Sequence, residues 1–303
     1  MSYTHEPVLP DECTEALKAG PGMLIIDGTA GLGGHSEALL RAGARVVCVD
    51  KDGEAQEIQK KRLAPFGDAV AFVREDFRHI GAVLDGLGHK TADGVLLDLG
   101  VSSLQLDKPE RGFSYHGDAA LDMRMDRRAG MTAADIVNTW PPDSLKRILY
   151  DYGEERYAPQ IAAAMAAGRP VETTAALRDI ILKALPAKAR REERNPCRRV
   201  FQALRIAVND ELGAVEEGVA EALERLSPGG RMAVISFHSL EDRIVKRIYA
   251  AWARGCVCPA DFPACVCGKT PRVRLLGQIR PGREEVGRNP RAQSATLRIA
   301  EKI

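Results

Sequence analysis

An acid, a glycine-rich break and a second acid about twenty residues further on are the part of this chain best equipped for chemistry. Residues 24–36 read Leu-Ile-Ile-Asp-Gly-Thr-Ala-Gly-Leu-Gly-Gly-His-Ser: an apolar run ends at Asp27, a turn carries Gly28, Gly31, Gly33 and Gly34, and a helical pattern follows from Glu37. Glycines permit positive φ and close approach to a bound molecule, and the free N–H groups at a helix start favour a polar or anionic group. The next apolar run, Val46 to Val49, ends at Asp50, where nucleotide-binding α/β folds keep a ribose-binding carboxylate. Asp76-Phe77 and Asp98 close two further apolar runs in the same way, and Phe77 is suited either to stack on an adenine ring or to fill the core.

The spacing within the turn separates two ligand classes. A dinucleotide fingerprint is Gly-x-Gly-x-x-Gly, but Gly31-Leu-Gly33 is followed by Gly34-His35-Ser36, so the third glycine is missing. Asp27-x-x-x-Gly31-x-Gly33 suits S-adenosyl-L-methionine better, because that cofactor has no pyrophosphate to cradle. A ligand-free strand-to-helix turn is the plainer alternative, and the paired Asp50 argues against it.

These groups need a frame. Leu24 to Asp27, Val46 to Asp50, Val70 to Val73 and Gly94 to Leu97 read as strands alternating with helices, which implies a parallel sheet with ligands beyond the carboxyl ends of its strands. After Asp98 the rhythm breaks, and the next clear strand, Arg231 to Ser236, begins well over a hundred residues later. The intervening text is helical (Asp143 to Tyr152, Glu155 to Ala167, Thr174 to Leu185, and a helix opened by Asn195-Pro196), with Leu177, Ile180, Ile181 and Ala184 on one face. The expected organisation is therefore a first core part over 1–106, an inserted all-helical domain over 107–208 for substrate recognition, and a second core part over 209–303. That last part holds a helix over Leu240 to Ala253, a late edge strand over Ala295 to Ala300 and a basic C-terminal segment.

Composition excludes some classes and leaves others open. Across 303 residues, 43 Lys and Arg against 42 Asp and Glu give a net charge of +1, so no global field announces a polyanionic partner. Local asymmetry is stronger: Lys269 to Arg298 holds eight basic residues and only Glu284 and Glu285 as acids, whereas Asp210 to Glu224 holds six acids and no base. The basic tail is a candidate nucleic-acid footprint. So is a helix stripe of Arg198, Gln202, Arg205 and Asn209, with Lys188, Arg190, Arg191 and Arg194 upstream, though a solvated helix face has the same pattern. No apolar run reaches membrane-span length and no signal-like start precedes the fold, so a cytoplasmic protein without membrane association is expected. Seven cysteines do not suggest a secreted disulfide framework.

Methyl transfer is an in-line displacement in which the enzyme contributes chiefly alignment. If the nucleophile is the exocyclic amine of a base, a carboxylate accepting its hydrogen bonds assists the attack and the departure of the proton. Asp98 is the available carboxylate, either for this task or for a cofactor contact. The usual Asn/Asp-Pro-Pro-aromatic arrangement of amine-directed methyltransferases is absent. His238, after the fifth strand, is a second catalytic candidate, with helix capping as its plainer role. Arg111, Phe113 and Tyr115 interleave a guanidinium with aromatic rings in a loop, which suits an unstacked base. Cys256-x-Cys258 and Cys265-x-Cys267 bring four thiols close in sequence, but structural zinc sites favour Cys-x-x-Cys, so no metal ligand is assigned.

The chain resembles, nearly end to end, the bacterial 16S ribosomal RNA cytosine-N4 methyltransferases of the RsmH or MraW family. The resemblance rests on His5-Glu-Pro-Val-Leu, Asp27-Gly-Thr-Ala-Gly-Leu-Gly-Gly-His-Ser, Asp98-Leu-Gly-Val-Ser-Ser-Leu-Gln-Leu-Asp, Pro109-Glu-Arg-Gly-Phe-Ser, Leu121-Asp-Met-Arg-Met-Asp, Asn195-Pro-Cys-Arg-Arg-Val-Phe-Gln-Ala-Leu-Arg-Ile-Ala-Val-Asn, Ile235-Ser-Phe-His-Ser-Leu-Glu-Asp-Arg and Asn289-Pro-Arg-Ala-Gln-Ser-Ala-Thr-Leu-Arg. It implies a class I, Rossmann-like methyltransferase sheet with an inserted helical domain. It also implies S-adenosyl-L-methionine as donor and the N4 amine of one decoding-region cytidine of 16S rRNA as acceptor. The implied partner is that RNA within the 30S subunit, and a homodimer is left open. Cofactor contacts are carried over to Gly33, Gly34, His35, Asp50, Phe77, Asp98 and Gln105. An RNA-binding assembly factor without turnover and a nicotinamide dehydrogenase are the competing classes.

Overall fold

In the computed structural model the described residues are 7–128, 130–192, 195–259, 262–264 and 266–303. They form two compact units, Met1–Gly100 with Leu212–Ile303, and Val101–Glu211. The insertion expected over 107–208 therefore begins earlier, directly after Asp98-Leu-Gly, and ends later, at Glu211.

The first unit is built on seven strands: β1 Leu24–Asp27, β2 Arg45–Val49, β3 Val70–Val73, β4 Ala92–Asp98, β5 Leu226–Ser236, β6 Val273–Ile279 and β7 Thr296–Lys302. Their order is β3-β2-β1-β4-β5-β7-β6, parallel from β3 to β5, with β7 antiparallel to both of its neighbours. This is the class I, Rossmann-like methyltransferase sheet.

Side-chain alternation explains why the runs are continuously apolar. Ile26, Val47, Val95, Leu97, Met232 and Val234 enter one core, with the helices Ile80–Gly86, Glu211–Arg225 and Ser239–Ala253. Ile25, Val46, Cys48, Leu96, Ala233 and Ile235 enter the other, with Pro10–Ala16, Gly34–Arg41 and Gly53–Leu63. Both faces of the parallel strands are covered, so polar atoms are confined to the strand ends.

Two strand expectations change. The last strand, expected at an edge, lies between β5 and β6, and the edge is β6, which the sequence reading lacked. Edge strand β6 buries Val273 but leaves residues 274–278 exposed and is broken in register around Gly277, so it shows no apolar alternation. Strand β5 starts at Leu226, five residues earlier than expected, because Leu226 pairs with Ala92 before a bulge.

The second unit is helical: Ser103–Asp107, Ala133–Thr139, Pro142–Asp151, Ala158–Ala167, Thr174–Ala184, Ala187–Glu192 and Arg198–Asn209. Leu177 and Ile181 join Leu145, Leu149, Ile161 and Leu204 in its core, while Ile180 and Ala184 are only partly buried. Asn195-Pro196 does not open a helix. It forms a turn, in which the Arg198 N–H donates to the Asn195 carbonyl at 3.1 Å, and the helix starts at Arg198.

Candidate active site

The glycine turn at the end of β1 is held from both sides. The Asp50 carboxylate, at the end of β2, accepts the Gly31 N–H on Oδ2 at 2.7 Å and the Asp52 N–H on Oδ1 at 2.8 Å. The Gln59 amide, fully buried on the following helix, donates to the Gly31 carbonyl at 2.6 Å. Gly31 and Gly33 take φ of 50° and 80°, and Gly33 is the N-cap of the helix Gly34–Arg41, with no side chain occupying the cap. Two backbone bonds hold the Asp50 anion, yet burial pushes its carboxyl up to about 6, and the side chain keeps part of its surface exposed. A hydrogen-bond donor reaching Asp50 would therefore relieve an underpaired charge.

Asp27 has another task. It is fully buried, accepts the Ser36 hydroxyl at 2.6 Å, and Ser36 in turn accepts the Cys48 thiol at 3.2 Å. Asp27 thus ties the turn to its helix, and of the four strand-end acids expected to meet a ligand it is the one that does not face outward.

At the end of β4, the Asp98 N–H donates to Thr29 Oγ1 at 2.5 Å, fixing the strand end against the turn. Asp98 Oδ2 lies 3.4 Å from His35 Nε2, without hydrogen-bond alignment, and Asp98 Oδ1 is buried with no partner among the described residues. His35 is buried on the first turn of the helix. Burial disfavours its imidazolium, but the facing Asp98 carboxylate and the neighbouring Cys13 outweigh that, and its pKa lies well above the ordinary histidine range.

Phe77 follows β3 in a short turn whose start is capped by Asp76, which accepts the Arg78 N–H at 3.1 Å. A Cβ on Gly218 would stand 2.3 Å from Phe77 Cδ2, and one on Gly28 would stand 3.2 Å from Phe77 Cβ. The ring is backed by bare helix backbone and is half-buried, so part of it stays accessible.

After β5, His238 is the N-cap of Ser239–Ala253. Its Nδ1 accepts the Glu241 N–H at 3.4 Å, and the Glu241 carboxylate takes the Phe237 and His238 N–H groups at 3.0 and 3.3 Å. This reciprocal cap is the plainer role anticipated for His238. Arg298 on β7 forks onto Asp242 at 2.7 and 2.9 Å, fixing the same helix start.

In the helical unit, Gln105 is buried and closes a capping box with Ser102, whose N–H it accepts at 3.0 Å. The loop residues expected to receive a base are mostly committed internally. Arg111 is 1% exposed and donates to the Arg124 and Met125 carbonyls at 3.0 and 3.1 Å, Phe113 is buried beside it, and Tyr115 packs edge-on to Phe201. The supposed phosphate stripe is largely committed too. Arg205 forks onto buried Glu211 at 2.7 and 2.8 Å, Asn209 holds the backbone at Met123 and Met125, and Gln202 donates to the Tyr152 carbonyl. Arg198 remains exposed, and Arg194, like His5, Glu6 and Cys265, lies outside the described residues. Gln59, Ser36 and Thr29 were missed by sequence reasoning, since nothing in their spacing signals the bonds they make across the turn.

Residues 2–303 match the family model described as the MraW methylase family. Ribosomal RNA small subunit methyltransferase H of Symbiobacterium thermophilum is 52% identical over 311 residues, covering 100% of this chain and 98% of that protein. The protein of the same name from Heliobacterium modesticaldum is 53% identical over 312 residues, covering 100% of both. A solved rRNA methylase from Streptococcus thermophilus aligns with a TM-score of 0.43 and 11% identity, over 97% of this chain and 93% of that one. The family match sets aside the nicotinamide reading that the turn alone left open. On the end-to-end match and its identity of about one residue in two, the chain belongs to the MraW methylase family of class I methyltransferases, which use S-adenosyl-L-methionine.

Proposed function

We propose that this protein methylates small-subunit ribosomal RNA, at the exocyclic N4 amine of a cytidine in the decoding region of 16S rRNA, within the 30S subunit in the cytoplasm. The observation that carries the reading is the Asp50–Gly31 clasp at the strand ends, in a chain that matches small-subunit rRNA methyltransferases from end to end. Among the described residues, no helix is long and apolar enough to cross a membrane.

The residues fit the donor. A sulfonium cofactor carries positive charge and ribose hydroxyls, and this unit offers an underpaired Asp50 anion and the orphaned, buried Asp98 Oδ1. Asp50 would hold the ribose, Phe77 the adenine, and the N–H groups following Gly33 and Gly34 the polar tail, with Gln105 as the further contact implied by the family. When bound, S-adenosyl-L-methionine would supply a methyl carbon open to in-line attack, with the neutral thioether S-adenosylhomocysteine as the leaving group.

Asp98 does the remaining work in this proposal. Its free Oδ1 accepts a hydrogen bond from the cofactor or from the incoming amine, while the His35 imidazole faces the opposite oxygen at 3.4 Å. An N–H bonded to Asp98 would keep the amine lone pair directed at the methyl carbon, and the proton that the methylated nitrogen sheds would pass to that carboxylate. His238 caps the helix behind this corner through Nδ1, and its Nε2, buried without a hydrogen-bond partner among the described residues, keeps it as the second catalytic candidate.

The test is incubation of purified protein with methyl-labelled S-adenosyl-L-methionine and 30S particles lacking the mark, followed by nucleoside analysis. N4-methylcytidine is expected, and Asp98→Ala is expected to lower turnover by at least about tenfold, the worth of one hydrogen bond to a charged group. Label on another nucleoside would overturn the substrate assignment. An RNA-binding protein without turnover would incorporate none.

A further inference from the structure

A loop between the helix Ser239–Ala253 and strand β6 takes no part in the proposed chemistry, yet it gathers thiols. The Sγ atoms of Cys256, Cys258 and Cys267 all lie within 4.8 Å of one another, and those of Cys256 and Cys267, eleven residues apart, are 3.8 Å apart. With Zn–S bonds of about 2.3 Å, the edge of a tetrahedral thiolate site is about 3.8 Å. The one-residue gaps that argued against zinc matter less here, because Cys256 and Cys267 come together from opposite arms of the loop.

We propose that Cys256, Cys258 and Cys267 bind one zinc ion, which staples this loop. Backbone N–H groups already point at the sulfurs. Cys258 N–H donates to Cys256 Sγ at 3.3 Å and Val257 N–H to Cys267 Sγ at 3.5 Å, bonds that favour thiolates. The mouth of the loop is fastened independently of any metal: the Arg272 N–H donates to the Trp252 carbonyl at 2.8 Å, and Lys269 Nζ donates to the Ala251 carbonyl at 3.2 Å.

Beyond that mouth the described residues of the loop bury no large apolar side chain. Val257, Phe262 and Val266 are 51%, 51% and 74% exposed, so burial cannot be what orders the thiol cluster. A segment without a core of its own is the kind that proteins hold with a metal or a disulfide. Three sulfurs converging at this spacing suit a metal, because a disulfide uses two and leaves the third unpaired. On binding, the three thiols release their protons to solvent and ligate as thiolates. Cys265 lies outside the described residues, and the proposal does not require it.

The experiment is elemental analysis of full-length protein, purified without an affinity metal under reducing conditions, together with its Cys256→Ser/Cys267→Ser variant. About one zinc per wild-type chain is expected, with a thiolate-to-metal absorption band when cobalt replaces zinc. The variant is expected to lose the metal and to be cut faster by protease within 254–272, while its melting temperature and cofactor affinity stay at wild-type values. Three results would overturn the proposal: zinc-supplemented protein holding no stoichiometric metal, a Cys256–Cys267 disulfide in peptide maps, or a variant that retains the ion.

Discussion

Replacing Asp50 by Asn separates two roles that the same carboxylate combines. Both of its oxygens accept a backbone N–H, from Gly31 and from Asp52. An amide has one oxygen, so its NH2 must face one of those donors, at a cost of about 1–3 kcal/mol for the bond left unmade. The substitution also removes a disfavoured anion. A carboxyl moved from 3.8 to about 6 by burial carries a charge penalty of about 3 kcal/mol at neutral pH. These terms nearly cancel, and the melting temperature should move by no more than about 4 °C. Cofactor affinity has no such compensation. A ribose hydroxyl bonded to a charged acceptor contributes about 1.5–3 kcal/mol, so Kd should rise about ten- to a hundredfold. Titration calorimetry with S-adenosyl-L-methionine at pH 7.5, beside a melting curve, reads both quantities. A Kd within twofold of wild type would refute the ribose assignment, and a collapse in melting temperature would refute the cancellation.

Further outcomes follow from the same geometry. Folded Asp50 titrates near 6 and unfolded aspartate near 3.8, so the folded state binds more protons between these values. Asp50's penalty on folding is therefore relieved as pH falls through about 6, while cofactor affinity should drop about tenfold per pH unit below 6, as calorimetry across pH 5 to 8 would show. For His35, whose folded pKa is raised, the sign reverses. Its contribution to stability is complete below pH 6.5 and is lost as pH rises through the folded value, so a His35→Gln variant should lose its stability deficit at high pH in denaturant titrations. Gly218→Ala places a methyl 2.3 Å from Phe77 Cδ2 and should cost about 1–3 kcal/mol of stability while shifting the ring and weakening cofactor binding. Arg205→Ala strands buried Glu211 and should destabilise the helical unit by about 3–5 kcal/mol in chemical denaturation, with little change in the salt dependence of RNA binding.

The strand ends were legible in the sequence because a parallel strand covered on both faces reads as an unbroken apolar run, and Asp27, Asp50 and Asp98 interrupt those runs where the chain meets polar surroundings. What each acid does there was not legible. Asp27 and Asp50 both end apolar runs, but only Asp27 has a hydroxyl, that of Ser36 nine residues on across the glycine turn, to satisfy it in the interior. The basic residues misled for a related reason. Spacing shows that Arg111 and Arg205 share faces with other polar groups, but not that their partners are the carbonyls of Arg124 and Met125 and the carboxylate of Glu211, which come from this same chain. Strand β6 escaped notice because an exposed edge strand needs no apolar alternation. The cysteine cluster was visible in the sequence, but Cys-x-Cys spacing says nothing of which arms of a loop fold together, so the approach of Cys256 to Cys267 was not.

A crystal structure of the protein soaked in S-adenosyl-L-methionine tests the central claim most directly. The account predicts density over the Gly31–Gly33 turn, with ribose hydroxyls within hydrogen-bond reach of Asp50 and the adenine against Phe77. Density elsewhere on the chain, or an Asp50 carboxylate still bonded only to the Gly31 and Asp52 N–H groups, would contradict it.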